Sequence, residues 1–446
     1  LPATPVTGPP TAPPLPTVPA ADTARVLTLA LAPIVAQGVI ARRRRVVGLA
    51  GRLGTDARGA RALQTVRERY GPGPLRLRVP GREVVLDPDD VARVLDGAPE
   101  PFAPANREKR GALRHFQPHG VLVSRGQIRD QRRAVDEAVL DTGNPLHRNA
   151  AAITTVARQE VGALRGDLDW DSFIRMWWRV VRRVVLGDSA RDDHALTDDL
   201  TRLRQAGNWS GLHPRNRRVA ARFRTRLAAH LDRAEPGSLA EVMARTPVPP
   251  GVDAVDQVPQ WLFAFGPAGA AVALRALALV VAHPAFPARV HDDLAGRDLA
   301  VPQELALLRA AVLESARLWP TIPLLLRDSV SETRWERGTL PAGAAVLVPT
   351  WFLHRDDTRT DAHRFVPDGR LDGTFDADPA IAPFSAGPAR CPGRGLVLLT
   401  ASTVLAALLD GRDLEMGPPG VIVPGRALPG GLDPFTLRFT AAPRHR

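Results

Sequence analysis

The sequence predicts a mainly α-helical protein with a smaller β region. Apolar residues recur at helical spacing over 127–140, within several amphipathic segments of 150–239, and through the long apolar run 258–282. Strand-like alternation appears early in the chain, where leucine and valine alternate with arginine over 75–79 before a Pro-Gly turn and the short apolar run 84–86. We therefore expect a hairpin beside a large helical body.

Composition limits the classes of function. The chain has 446 residues and a single cysteine, so it has no internal disulfide framework, which suits a reducing cytoplasm. The net charge of +12 is carried almost wholly by arginine, because Lys109 is the only lysine. These arginines are spread along the chain and form no basic arm, which argues against nucleic-acid binding.

The N-terminal region predicts two short segments ahead of the main body. Residues 1–24 begin with a stretch rich in proline, threonine and alanine, and we expect them to be disordered. Residues 25–55 are expected to form an amphipathic basic helix. The apolar run 26–40 falls short of the roughly 20 residues that a membrane span needs, and four arginines follow it. A helix packed on the protein surface is favoured; the alternative is contact of 26–45 with a membrane surface.

The single cysteine stands in a distinctive loop. Cys391 lies in a Gly/Pro-rich stretch directly before the apolar helical run 396–401. A thiol at a helix N-terminus meets free backbone N–H groups, which favour the thiolate, and a thiolate is a good ligand for iron. The loop chemistry alone leaves a buried structural cysteine equally open.

The spacing of this loop resembles a known family. Phe384, Gly387, Cys391 and Gly393 stand as in the haem-ligand loop of the cytochrome P450 family, and Glu314-Ser-Ala-Arg317 is similar to the Glu-x-x-Arg pair of that family. The resemblance covers almost the whole chain after the N-terminal segments. It implies a cytochrome P450-like fold for 56–446 as a single haem-thiolate oxygenase domain.

The resemblance also implies a cofactor and its ligands. The cofactor would be haem b, with Cys391 as the axial ligand of its iron and Arg132 and Arg327 bound to its propionates. Phe384, Gly387 and Gly393 would shape the loop around it. The residues expected to form a structural charge cluster are Glu314, Arg317 and Arg364. The alternative to the propionate role is that Arg132 belongs to a solvated basic face. In the cysteine loop, Ala389 stands where the family usually has a basic residue.

The helix over 258–282 departs from the family pattern. In the family this helix crosses the haem and carries an acid–alcohol pair that delivers protons to oxygen. Here the corresponding segment contains Gly266, Pro267, Ala268 and Gly269, and no Ser, Thr, Asp or Glu occurs from 261 to 282. Proline and glycine weaken a helix, so we expect a bulge that leaves the carbonyl of Phe263 without its usual partner.

The expected activity is oxygen insertion into an apolar small molecule, as in secondary metabolism. An apolar pocket is expected from the side chains of Phe263, Phe265, Leu324 and Leu325. Electrons would come from a separate ferredoxin or flavoprotein reductase, docked on arginines around the Cys391 loop, and the protein is expected to be cytoplasmic. The alternatives are a peroxide-driven haem enzyme and a haem or small-molecule binding protein without turnover.

Overall fold

A computed structural model describes residues 13–417 and 421–443. In the first half of the chain the helices are α1 (Ala20–Arg25), α2 (Ala32–Gln37), α3 (Arg44–Arg52), α4 (Thr55–Tyr70), α5 (Pro88–Asp96), α6 (Arg107–Leu113), α7 (Gly126–Val139), α8 (Ala150–Gly162), α9 (Trp170–Leu186), α10 (His194–Gly207) and α11 (Arg217–Arg233). The second half contributes α12 (Leu239–Arg245), α13 (Val258–Phe263), α14 (Gly269–Ala282), α15 (Ala285–Leu294), α16 (Ala306–Leu318), α17 (Thr350–Leu353), α18 (Asp368–Leu371) and α19 (Arg394–Leu409).

The strands form three small sheets. They are β1 (Leu75–Arg76), β2 (Arg82–Val84), β3 (Phe102–Ala103), β4 (Leu168–Asp169), β5 (Leu325–Ser329), β6 (Thr333–Trp335), β7 (Gly338–Leu340), β8 (Ala345–Val348), β9 (Arg412–Met416) and β10 (Arg438–Pro443). The sheet orders are β1-β2-β8-β5-β3, β4-β10-β9 and β6-β7, and only the β2–β8 pair is parallel among the described strands. The hairpin predicted at 75–86 is present as β1 and β2, with Leu75 opposite Val84.

Helices α9, α14, α16 and α19 build the larger of two apolar clusters. Helices α14 and α19 carry apolar side chains on almost every face, as expected for helices enclosed by protein. Within the described residues one helical run, Ala254–Ala282, is long and apolar enough to cross a membrane, and 72% of its most apolar window is buried inside the protein. The second apolar cluster lies against the five-stranded sheet.

The prediction of disorder for residues 1–24 is wrong from residue 13 onward; residues 1–12 lie outside the described residues. Pro14 bridges Thr339 of β7, and Thr17 bridges Arg76 of β1. Leu15 and Val18 are fully buried between these contacts. Backbone pairing with two sheets therefore overrides the proline-rich composition.

The single helix expected over 25–55 is also wrong. A π-helical turn, Val26–Leu31, separates α1 from α2, and the chain then reverses at Gly38, whose φ of 92° suits glycine. Helix α3 begins only at Arg44. The segment packs in pieces against α4, where an added Cβ on Gly59 would meet the carbonyl of Leu29 at 2.9 Å.

Candidate functional site

The Cys391 loop is fixed between α5 and α19. The Cys391 amide donates to the Phe384 carbonyl at 2.8 Å, which closes the loop on itself. Gly387 has a φ of +62°, and an added Cβ would lie 2.3 Å from the carbonyl oxygen of Leu95 at the end of α5. Only glycine fits this position, because both the backbone conformation and the close approach exclude a side chain.

Cys391 is half-buried at the mouth of α19. Burial raises the pKa of its thiol, while a hydrogen bond from the Gly393 amide and the charges of Arg133 and Arg394 act in the opposite direction. Desolvation is the largest of these effects on the pKa of the thiol, and it opposes the helix N-terminus, which favours the thiolate. A thiol that coordinates a metal loses its proton outright.

The donor set fits a metal that arrives with other ligands. Over the described parts of the chain, no three His, Cys, Asp or Glu side chains are grouped to hold a metal ion. Cys391 is thus a single protein donor, and iron needs further ligands. A haem supplies four nitrogens itself, so one cysteine suffices. The chemistry of this site therefore fits a haem.

The three arginines of α7 have different surroundings. Arg132 donates to Ser124 Oγ and lies near Asp256. Arg129 is buried beside Arg327, and the charge of Arg133 acts on Cys391. Because positions four apart share a helix face, Arg129 and Arg133 are turned to the same side of α7. The assignment of Arg132 to a propionate stays a prediction, since its Nε is buried without a partner among the described residues.

Arg327 is a buried cation without a carboxylate. Its Nη2 donates to Ser385 Oγ at 3.3 Å, its Nη1 to the Leu326 carbonyl at 3.1 Å, and its Nε has no partner. Burial, and then the charge of Arg129, lower the pKa of Arg327 to about 10. Lys109 lies close by, and burial followed by Arg327 lowers the pKa of its amine. Buried cations need an anion, and the two propionates of a haem would supply it.

The predicted charge cluster is present with a different third member. Arg317 donates from Nε and Nη2 to both carboxylate oxygens of Glu314 at 2.7 Å, and both side chains are fully buried. Arg364 is exposed and contributes only its backbone carbonyl, which accepts from Arg317 Nη2 at 2.7 Å. Arg370 of α18 instead places Nε 3.6 Å from Glu314 with its side chain 1% exposed. Arg364 is therefore replaced by Arg370 in the cluster.

The predicted bulge in the long apolar helix is present. Ala264–Ala268 forms a π-helical turn in which Gly266 leaves helical geometry with a ψ of −114°. Within this turn, the Phe265 carbonyl accepts a hydrogen bond at 2.8 Å from a side chain of another helix, Trp177 Nε1. Gly266 has no room for a side chain, because an added Cβ would lie 2.4 Å from the Trp178 ring. Two tryptophans of α9 thus hold the bulge in place.

The four predicted pocket residues belong to two different apolar clusters. Phe263 is partly buried, with its ring centre 5.2 Å from that of Phe116. Phe265 lies in the core, edge-on to Trp177 at 5.7 Å, and its assignment to the pocket is corrected for that reason. Leu324 and Leu325 pack at the start of β5 against the cluster under the five-stranded sheet.

One buried acid beside the bulged helix was missed. Asp136 on α7 is 3% exposed and accepts from Trp261 Nε1 at 3.1 Å. Burial raises its pKa to about 7, against the effects of the Trp261 hydrogen bond and the Arg133 charge. An aspartate on the apolar side of α7, next to Val135 and Val139, was the available signal. The available signal for Arg129 and Arg133 was their spacing of four residues, which places both on one face of α7.

Comparisons with known proteins agree with the site. The family model described as "Cytochrome P450" matches residues 275–424, which include Glu314, Arg317 and Cys391. A "Probable cytochrome P450 4s3" from Drosophila melanogaster is 31% identical over 136 residues, covering 30% of this chain and 28% of that protein. The 2-hydroxyisoflavanone synthase of Glycyrrhiza uralensis is 30% identical over 149 residues, again covering 30% of this chain and 28% of that protein. The chain thus matches less than a third of the length of these curated relatives.

The likeness to solved structures covers most of the chain. A six-coordinated cytochrome P450 from Thermus thermophilus has a TM-score of 0.62 and 20% identity, over 85% of this chain and 96% of its own. The retinoic acid-bound cyanobacterial CYP120A1 has a TM-score of 0.66 and 17% identity, over 85% and 94%. At these identities the structures show the fold.

The fold is that of the two cytochrome P450 structures. Within that fold, residues 275–424 match the cytochrome P450 family model. This match implies a haem cofactor, and the residues around Cys391 and Arg327 fit one.

Proposed function

We propose that this protein is a haem-thiolate monooxygenase that inserts oxygen into an apolar small molecule. The observation that carries the proposal is the closed loop around Cys391, with the Gly393 amide bonded to the thiol and the buried Arg327, whose Nε has no partner, against Ser385 of the loop. In this proposal the haem, when bound, supplies the activation of dioxygen. The substrate would belong to secondary metabolism; one of the curated relatives is a 2-hydroxyisoflavanone synthase.

The chain's own residues would perform distinct tasks. Cys391 would ligate the iron, and the Gly393 amide would tune the sulfur through its hydrogen bond. Arg327, Arg129 and Arg133 would hold the propionates and neutralise them. Phe263 and Phe116 would exclude water on the substrate side.

The bulged helix favours a second mode of oxygen supply. From 261 to 282 the helix carries no acid or alcohol side chain that could supply a proton. Ordered water or the substrate would have to provide that proton in a reductase-supported reaction. Peroxide brings its own protons and electrons, so a peroxide-driven enzyme is the alternative that this observation favours.

Electrons are proposed to come from a separate ferredoxin or flavoprotein reductase. Arg390 and Arg394 are exposed on either side of Cys391, and their positive charge suits an acidic partner. Arg133 lies deeper, paired with Glu137, and Arg132 is turned toward Ser124. The docking face would therefore rest on Arg390 and Arg394.

The protein is proposed to be cytoplasmic. Its residues 26–45 are proposed to rest against the surface of a membrane. Leu29, Val35 and Val39 expose 38%, 57% and 49% of their surface, and the arginines that follow would meet anionic lipid. Trp209, 56% exposed, lies under Arg43 and would extend this apolar face.

The absorption spectrum of the reduced protein under carbon monoxide tests the proposal. Wild type should show the strongly red-shifted band of a thiolate-ligated haem, and Cys391→Ser should lose it. Turnover assays with a ferredoxin system and with peroxide would then separate the two modes. A haem-free protein, or a band that survives Cys391→Ser, would refute the assignment.

The propionate contacts have their own test. Arg129→Ala and Arg133→Ala should each weaken haem retention, because each removes a cation from the face of α7 that we propose for the propionates. Arg132→Ala is the matched control on the same helix and should retain haem. Equal haem loss in all three variants would contradict the placement of α7.

A further inference from the structure

A buried cation beside the bulged helix has no role in the proposed haem site. Arg204 lies in the last turns of α10 and is 7% exposed. Its Nη2 donates to the Ile40 carbonyl at 3.0 Å, whereas its Nε is buried without a partner. No side chain in the described part of the chain forms an ion pair with Arg204, and burial alone lowers its pKa, to about 10. It therefore remains charged at neutral pH.

The surroundings of Arg204 are aromatic and tightly closed. Its guanidinium carbon is 5.3 Å from the ring centre of Phe263, which in turn contacts Phe116. Gly207, three residues on, lies so close to the Ala112 carbonyl that an added Cβ would be 2.8 Å away. The N-terminal segment at Ile40, α6, α10 and α13 thus meet around this one cation.

The energetics of this arrangement call for an anion. A guanidinium buried without a carboxylate pays a large desolvation penalty, which one carbonyl and the face of one phenylalanine offset only in part. The free Nε is a donor ready for a charge-assisted hydrogen bond. Because Arg204 is a lone cation, it suits a singly charged group better than a phosphate.

The neighbouring loop adds two buried acceptors. His115 Nε2 lies 3.0 Å from the Ser210 carbonyl, so Nε2 carries the hydrogen and the buried Nδ1 is an unpaired acceptor. Gln117 Nε2 donates to Gln260 at 2.6 Å, and its Oε1 is likewise buried and unpaired. These atoms would repel a carboxylate, whereas the guanidinium of Arg204 would attract one.

We propose that Arg204 binds a carboxylate of the substrate and that Phe116 and Phe263 contact the apolar part next to it. The inference rests on the proposed function, since it assigns the substrate of the same site. It narrows the substrate class from apolar molecules to apolar carboxylic acids.

The test compares acids with their matched alcohols on the haem-containing protein. The probes are dodecanoate against dodecanol, cinnamate against cinnamyl alcohol, and naphthoate against naphthylmethanol, with binding followed by calorimetry and by the shift of the haem absorption band. In wild type at least one acid should bind more tightly than its alcohol. Arg204→Gln should weaken binding of that acid by about 10- to 100-fold and leave the alcohol almost unchanged.

Controls separate this inference from folding and from the proposed function. Glutamine at position 204 still has a donor for the Ile40 carbonyl, and the thermal melting of each variant reports its folding. Arg202→Gln is the matched control, because Arg202 is 63% exposed on the same helix and pairs only with Asp199 among the described residues. Calorimetry needs no haem signal. If the carbon monoxide spectrum does not show a thiolate-ligated haem, calorimetry still measures whether an acid binds more tightly than its alcohol. The inference is overturned if no acid binds more tightly than its alcohol, which includes the case in which no acid binds. It is also overturned if Arg204→Gln and Arg202→Gln lose affinity for the acid equally.

Discussion

Replacing Arg370 with alanine should destabilise the protein, whereas replacing Arg364 should not. Arg370 places Nε 3.6 Å from the buried carboxylate of Glu314 and donates from Nη1 to Asp376 at 3.1 Å. Its guanidinium also stacks 5.0 Å from the centre of the Phe375 ring. Arg364 is exposed, and its contribution to the cluster is a backbone carbonyl that alanine retains.

The magnitude follows from burial and distance. At 3.6 Å and an effective dielectric constant of about 20, the attraction to Glu314 is on the order of 5 kcal/mol. Part of this is offset by the desolvation of the guanidinium, so Arg370→Ala should lower the free energy of unfolding by roughly 2–4 kcal/mol. Arg364→Ala should change it by less than about 0.5 kcal/mol.

Urea unfolding of both variants beside wild type, with haem content recorded, measures the difference. With about 2.1 cal/mol/K per residue over 446 residues, a loss of about 3 kcal/mol corresponds to a fall in melting temperature of roughly 3 °C. If Arg364→Ala destabilises as much as Arg370→Ala, the assignment of the third arginine is refuted.

Three further perturbations test other parts of the site. Gly387→Ala should lower the free energy of unfolding by roughly 3 kcal/mol and reduce haem content, because the residue has a positive φ and no space for a side chain. Gly393→Ala is the control and should keep its haem, because an added Cβ there would lie 3.9 Å from its nearest neighbour. The pKa of Asp136 is raised to about 7 in the folded protein, so its carboxyl keeps its proton at a pH at which the unfolded chain has already lost it. The free energy of unfolding should therefore fall by up to roughly 4 kcal/mol as the pH rises from about 4 to about 7. Asp136→Asn should remove most of this decline in urea unfolding series across pH, and an unchanged slope would contradict the buried acid. Trp177→Phe should cost about 2–3 kcal/mol by leaving the Phe265 carbonyl without a donor, and thermal melting equal to wild type would refute that role for the indole.

Features fixed by local spacing could be predicted from the sequence. Glu314 and Arg317 lie one helical turn apart, so their pairing needs nothing but the helix itself. The bulge at Ala264–Ala268 follows from Pro267 and its neighbouring glycines for the same reason. The alternation around Leu75 similarly indicated the hairpin.

Features decided by distant partners could not. Arg129, Arg132 and Arg133 are chemically identical, and which of them faces the site depends on where Arg327 and Cys391 approach α7. Arg370 enters the cluster only because α18 turns it inward. Identical side chains on a charged helix therefore need tertiary information before a role can be assigned.

The pairing of the N-terminal strand-like segment has a consequence for synthesis. Pro14 bridges Thr339, so the partner emerges from the ribosome 325 residues later. At about 5–20 residues per second, this interval lasts roughly 16–65 seconds. During that time Leu15 and Val18, which end fully buried, are exposed on the nascent chain. The segment thus reaches its final contacts long after it has been made, and until then it is a potential binding site for chaperones.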